Sequence, residues 1–185
     1  MDAMPMIRIM AGLMAVVLLA PPAFGAEKLA VTVRGRTLTV ELYRPPAGAF
    51  PRGTVLMGSG DVGWVGLSVD LSEFLSAEGY VVVGINVRQY LSTFTSGSAH
   101  VTTDLVPGDY AAIVQAIRER HALQEPVVAA GVSEGAALAV LAGADRTNRS
   151  WLAGVLTIGL PPTAELAWRW RDATTWLTKR DANEP

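Results

Sequence analysis

The chain has 185 residues, of which 50% are hydrophobic and 17% charged, with a formal net charge of −2 and no cysteine. The absence of a basic run leaves no electrostatic footprint for nucleic acid or an anionic membrane surface. Without disulfides the fold must rest on an ordinary hydrophobic core, and a chain of this length is expected to build one domain around it.

Residues 1–25 carry one cation, Arg8, before the apolar run Ile9–Ala20, then Pro21-Pro22 and Ala23-Phe24-Gly25. This reads as a secretory signal cleaved before Ala26, with small residues at the −3 and −1 positions. The run is shorter than the roughly 20 residues a membrane span needs, and the proline pair favours processing over an uncleaved anchor. The expectation is export to the periplasm, no membrane span after cleavage, and a domain over residues 26–185.

Leu29–Val33 and Thr37–Tyr43 alternate apolar and polar positions around Arg34-Gly35-Arg36, predicting a β-hairpin. A Pro/Gly-rich loop leads to the strand Thr54–Met57. Leu67, Leu71, Phe74 and Leu75 then mark one face of an amphipathic helix that stops at Glu78-Gly79. Tyr80–Ile85 is apolar throughout, as in a strand buried on both faces, and a polar loop is expected from Arg88 to Ser98.

Tyr110, Ile113, Val114 and Ile117 predict a second helix, capped by Thr103 or Asp104 and tolerating Pro107 in its first turn. Pro126–Ala130 is the next buried strand, Ala136–Ala142 a small-residue helix and Leu152–Ile158 another strand. Thr163–Lys179 has a helical period, with Trp168 and Trp176 approaching one face in the manner of core packing. The order predicts an α/β fold: a mostly parallel sheet with an N-terminal antiparallel hairpin and helices on both faces.

Gly131-Val132-Ser133-Glu134-Gly135 directly follows a buried strand and opens a helix. It spells the nucleophile elbow, in which a strained strand-to-helix turn tolerates only small residues two positions either side of the serine. Ser133 is thus the candidate nucleophile, with the backbone N–H of Glu134 as one oxyanion donor. The alternative is that Ser133 only N-caps a closely packed helix.

The loop Gly58-Ser59-Gly60-Asp61-Val62-Gly63-Trp64 fits the G-x-G-x-x-G spelling of a dinucleotide turn. A cofactor fold, however, wants this loop after the first strand, with a helix opening inside it and an acidic residue about 20 positions later. Here a hairpin comes first, Trp64-Val65-Gly66 separates the glycines from the helical period, and the next strand ends at Asn86. The competing reading places the loop opposite Ser133, where Gly58, Gly60 and Gly63 allow close approach and the N–H of Asp61 or Val62 supplies the second oxyanion donor. No cofactor and no metal are expected, and Trp64 is expected to pack the loop down.

The series strand–GSGDVGW–helix, GYVVVGINVRQY, strand–GVSEG–helix resembles the α/β-hydrolase superfamily, and within it the VirJ/AcvB family of bacterial virulence proteins, from about Gly53 to Gly159. Val62, Asn86-Val87-Arg88, Val132 and Glu134 depart from that family's spelling. The resemblance implies a periplasmic serine hydrolase with Ser133 as nucleophile and Ser59-Gly60-Asp61 beside it. It further implies either action on an ester such as an aminoacylated phospholipid, lysyl-phosphatidylglycerol among them, or a non-catalytic role in binding or assembling secreted virulence substrates through a protein partner. Glu134 reads as a carboxylate favoured by the helix dipole, or as the holder of a cationic head near Ser133.

A serine hydroxyl needs a histidine to take its proton and an acid to orient that histidine, and in this superfamily both follow the serine. The two histidines, His100 and His121, both precede Ser133. His121 is expected at the sheet edge opposite the elbow, and His100 in a loop at the correct edge. The expectation is therefore a hydrolase domain truncated before its last strands, either a fragment or a shortened form that cannot catalyse.

Overall fold

A computed structural model describes residues 25–164, 166 and 167. The alternating segments pair as β1 (Glu27–Val33) and β2 (Arg36–Tyr43), with Val33 opposite Arg36. Arg34 and Gly35 form the two-residue turn between them, and both have positive φ, at 47° and 72°. That is the backbone whose twist matches a hairpin.

β2 runs antiparallel to β4 (Val81–Ile85), and from there every pairing is parallel: β4 with β3 (Thr54–Gly58), β3 with β5 (Val127–Val132), and β5 with β6 (Leu152–Ile158). The six strands lie in the order β1-β2-β4-β3-β5-β6. β3 and β4 are buried at every position, which is why they read as unbroken apolar runs rather than alternating ones.

Alternate residues of the central strands feed two separate cores. Leu56, Val83, Ile85, Val127 and Ala129 face α2 (Val87–Phe94), α3 (Leu105–Arg118) and α4 (Glu134–Ala144). Val55, Met57, Val82 and Ala130 face the opposite way, toward α1 (Leu67–Ala77), with Tyr43 beside them. Helices thus cover both faces. Among the described residues no helix is long and apolar enough to cross a membrane.

Two expectations are corrected here. The buried stripe of α1 is Ser68, Ser72 and Ser76, while Leu67 is 49% and Phe74 60% exposed. Small side chains bring the helix axis close to the sheet. The Ser72 hydroxyl donates back to the Ser68 carbonyl (2.7 Å) and that of Ser76 to the Arg44 carbonyl (3.1 Å), so their burial leaves no donor unused. Leu71 and Leu75 lie half-buried against the α1-side core.

The second correction is that the segment expected as a polar loop begins with helix α2. Val87, Tyr90, Leu91 and Phe94 form its inward stripe, and the Asn86 side chain caps it by accepting from the Gln89 N–H (3.1 Å). Asp104 precedes α3, as expected, but makes no side-chain cap there. The helical period over Thr163–Lys179 opens on non-helical backbone at Thr163 and Ala164, and its tryptophans Trp168, Trp170 and Trp176 lie outside the described residues, as does the signal segment up to Phe24.

The hairpin is tied to the helices by a partly buried ion pair. The Arg34 guanidinium donates twice to the Asp109 carboxylate of α3, at 2.8 Å each, and stacks 3.6 Å from the Phe94 ring centroid. The Tyr90 hydroxyl donates to the same carboxylate at 2.5 Å. Burial first, and the bond to Asp109 second, push the Tyr90 phenol well above its ordinary pKa.

Candidate functional site

Ser133 is the last residue before α4, and its backbone has φ 51° and ψ −118°. Only two non-glycine residues among those described have positive φ, Arg34 and Ser133. This strain of roughly 1–3 kcal/mol persists because the surroundings fix it. The Ser133 N–H donates to the Ile158 carbonyl of β6 (2.9 Å), and its own carbonyl accepts from Ala136 N–H (2.8 Å) to start the helix. Its side chain makes no capping bond, so the reading of Ser133 as a mere N-cap has no support in the geometry.

Three glycines permit the turn. A β-carbon on Gly131 would lie 2.1 Å from the Gly135 carbonyl, and one on Gly135 would lie 2.4 Å from the Gly58 carbonyl oxygen. Gly58 and Gly131 are register partners in β3 and β5. A side chain at any of the three would push α4 off the sheet and move Ser133 with it.

The loop after β3 packs on this elbow. Gly60 to Gly63 close a turn, the Gly63 N–H donating to the Gly60 carbonyl at 3.1 Å. A β-carbon on Gly60 would stand 3.7 Å from the Ser133 β-carbon. Asp61 and Val62 occupy the exposed tip, where a turn of this kind offers their N–H groups no internal acceptor. Gly63 (φ 98°) turns the chain back, and a β-carbon there would lie 3.3 Å from the Asn86 Oδ1. α1 begins only at Leu67, after the uncapping Gly66. The glycines therefore serve an approach to the serine and do not open a helix as a dinucleotide turn does.

Trp64 holds the loop from behind. Its ring occupies the space a side chain at position 84 would fill, 2.3 Å from a β-carbon built there, and its Nε1–H donates to the Tyr43 hydroxyl (3.1 Å). Burial raises the Tyr43 phenol pKa, and that bond from Trp64 offsets part of the rise. Ser59, singled out by sequence only as a loop letter, is fully buried and locked. Its Oγ accepts from Val87 N–H and donates to the Gly60 carbonyl, both at 3.0 Å. Nothing in the spelling of the loop distinguishes this role from that of an exposed turn serine.

The histidines do not join the elbow. His121 Nδ1 lies 2.7 Å from the Arg44 guanidinium, just past β2 at the N-terminal edge of the parallel strands. His100 is exposed between α2 and α3, its Nδ1 3.1 Å from the Ser98 carbonyl. Among the described residues no contact brings either to Ser133, and no group of three or more histidines and carboxylates has metal-binding spacing. Glu134 is buried at the start of α4, where the helix dipole favours its charge.

Residues 53–183 match the family described as bacterial virulence protein (VirJ). No curated protein matches the chain. Among solved structures, Est1E from Butyrivibrio proteoclasticus is 18% identical with a TM-score of 0.51, covering 71% of this chain and 49% of that one. A cold-adapted esterase from an Arctic intertidal metagenomic library is 18% identical with a TM-score of 0.55, covering 71% and 59%. An alpha-beta serine hydrolase homologue from Coxiella burnetii is 17% identical with a TM-score of 0.53, covering 73% and 63%. The chain therefore spans between about half and under two thirds of the length of these structures. At such identities the likeness establishes the α/β-hydrolase fold.

Proposed function

Because the chain belongs to the bacterial virulence protein (VirJ) family, and because its elbow is built as a strained, glycine-packed turn, we propose that it is an exported serine hydrolase of esterase type with Ser133 as nucleophile. The observation that carries this reading is the positive φ of Ser133, held between Gly131 and Gly135. A serine kept in a disfavoured conformation without a capping role is what an exposed nucleophile requires.

In the proposed reaction the Ser133 Oγ attacks an ester carbonyl and loses its proton to a base. The tetrahedral oxyanion is held by the N–H of Glu134 and that of Asp61 or Val62. Collapse expels the alcohol, which takes up the proton and leaves an acyl-serine that water then hydrolyses. The substrate class is a small ester or phospholipid-like ester. Glu134 would favour a cationic head, such as a lysyl group on phosphatidylglycerol, and residues 1–25 would direct the chain to the periplasm.

A second reading rests on the positions of the two histidines, His121 tied to Arg44 at the opposite edge and His100 exposed beside the Ser98 carbonyl. It is a non-catalytic periplasmic factor that uses the same cleft to bind or assemble secreted virulence substrates. Labelling the full chain with a fluorophosphonate separates the two. The hydrolase predicts an adduct on the wild type that Ser133→Ala abolishes. An unlabelled wild type sinks it in favour of the binding protein.

A further inference from the structure

We propose that Ser59 is a positioning residue for the oxyanion, setting the direction of the Asp61 N–H; this rests on the hydrolase reading of Ser133. Val87 N–H donates to the Ser59 oxygen (3.0 Å), so the hydroxyl proton of Ser59 is committed to the Gly60 carbonyl (3.0 Å). Gly63 N–H reaches that carbonyl as well, at 3.1 Å. The two donors fix the plane of the Gly60–Asp61 peptide. In a planar trans peptide the N–H points opposite to the C=O, so the Asp61 N–H is directed away from Ser59 and Gly63.

Gly60 abuts Ser133, its β-carbon position 3.7 Å from that of the serine. The fixed peptide is therefore the part of the loop beside the reacting oxygen. The chain of bonds has a further effect. Val87 is the first residue of α2, at the positive end of the helix dipole. Its N–H polarises the Ser59 hydroxyl, which polarises the Gly60 carbonyl and strengthens the Asp61 N–H as a donor. Ser59 is fully buried, so water cannot substitute for its hydroxyl.

The two ends of this chain can be removed separately. Ser59→Ala deletes the orienting donor. Asp61→Pro deletes the N–H itself at the second position of the turn, where proline is well tolerated. With p-nitrophenyl butyrate as substrate, Ser59→Ala is expected to lower kcat about 100-fold with KM unchanged, as loss of an oxyanion donor does. Phenylboronic acid, which forms a tetrahedral adduct on serine, should lose affinity in parallel, whereas 4-nitrophenol, the alcohol product, should not. Asp61→Pro should give the same loss, and the double variant no further loss.

Wild-type kcat in Ser59→Ala, or additive losses in the double variant, would overturn the inference while leaving Ser133 as nucleophile. Should Ser59→Ala not fold by circular dichroism, Asp61→Pro decides, and an unchanged kcat there overturns it too. Wild-type protein without Ser133-dependent turnover overturns the inference and the hydrolase reading together.

Discussion

The backbones of Gly58 and Gly135 touch: a β-carbon on either would come within 2.9 Å of the other residue. β3 and α4 therefore meet without any side chain between them, and Ser133 is carried at the point where they meet. Replacing Gly135 by Ala must separate the two elements. We expect a loss of about 2–3 kcal/mol in urea unfolding, in the range of overpacked sites, with Ser133 labelling abolished even in the folded fraction. Gly143→Ala gives a comparison within the same helix, since what it meets is a methyl of Val155, a side chain 40% exposed and remote from the elbow, rather than backbone; it should retain labelling.

Ser133 holds a backbone that glycine adopts freely. Ser133→Gly should relieve strain of about 1–3 kcal/mol against an entropic loss of about 0.5–1 kcal/mol, for a net gain of about 1 kcal/mol. Ser133→Ala keeps the β-carbon and hence the strain, so its melting temperature should stay near that of the wild type. Equal melting temperatures for the two variants would show that the turn is unstrained.

The Arg34 and Asp109 pair joins positions 75 residues apart. The side chain of Asp109 is 3% exposed and that of Arg34 32%, so the two truncations are unequal. Arg34→Ala leaves a buried carboxylate with, among the described residues, only the Tyr90 hydroxyl, at a cost of about 3 kcal/mol. Adding Asp109→Asn should recover part of it, because the uncompensated charge is gone. Chemical denaturation of the two single variants and the double variant measures this directly, and additive losses would contradict it.

The raised phenols of Tyr90 and Tyr110 set an alkaline limit. Tyr110 is raised by burial alone, its hydroxyl having no partner among the described residues, and Tyr90 by burial and its bond to Asp109. Both are raised in the folded state, so their contribution to stability is complete below the unfolded value near 10 and is lost as pH climbs above it. Absorbance at 295 nm should show both phenols still protonated at about pH 11 in the folded chain. The urea-unfolded chain should ionise all 4 of its tyrosines near pH 10.

β3 and β4 were legible in the sequence because they are buried on both faces; Leu152–Ile158, although mostly exposed, is read from its apolar run with the very bounds that β6 has. The elbow was legible for a different reason, since its parts are contiguous and glycine is demanded by backbone approach rather than by distant partners. α1 misled because hydrophobic periodicity assumes that the largest apolar residues face inward, whereas close approach to the sheet selected Ser68, Ser72 and Ser76. α2 was missed although Val87, Tyr90, Leu91 and Phe94 carry its period, because its remaining positions are polar and it is only 8 residues long. Contacts such as Trp64 over Gly84 or Arg34 on Asp109 join separate elements, and no local pattern encodes them.

The two faces of the sheet are unequally loaded. Among the described residues, most of the buried apolar side chains belong to the layer with α2, α3 and α4, while the α1 layer rests on Tyr43, Val55, Met57, Val82 and Ala130. Trp64, which braces the loop beside Ser133, belongs to the thinner layer. Regions with few buried contacts open first, well below the energy of global unfolding. The loop would thus come loose on warming while the far layer and the sheet stay intact, and the chemistry proposed for Ser133 would fail at a lower temperature than the fold.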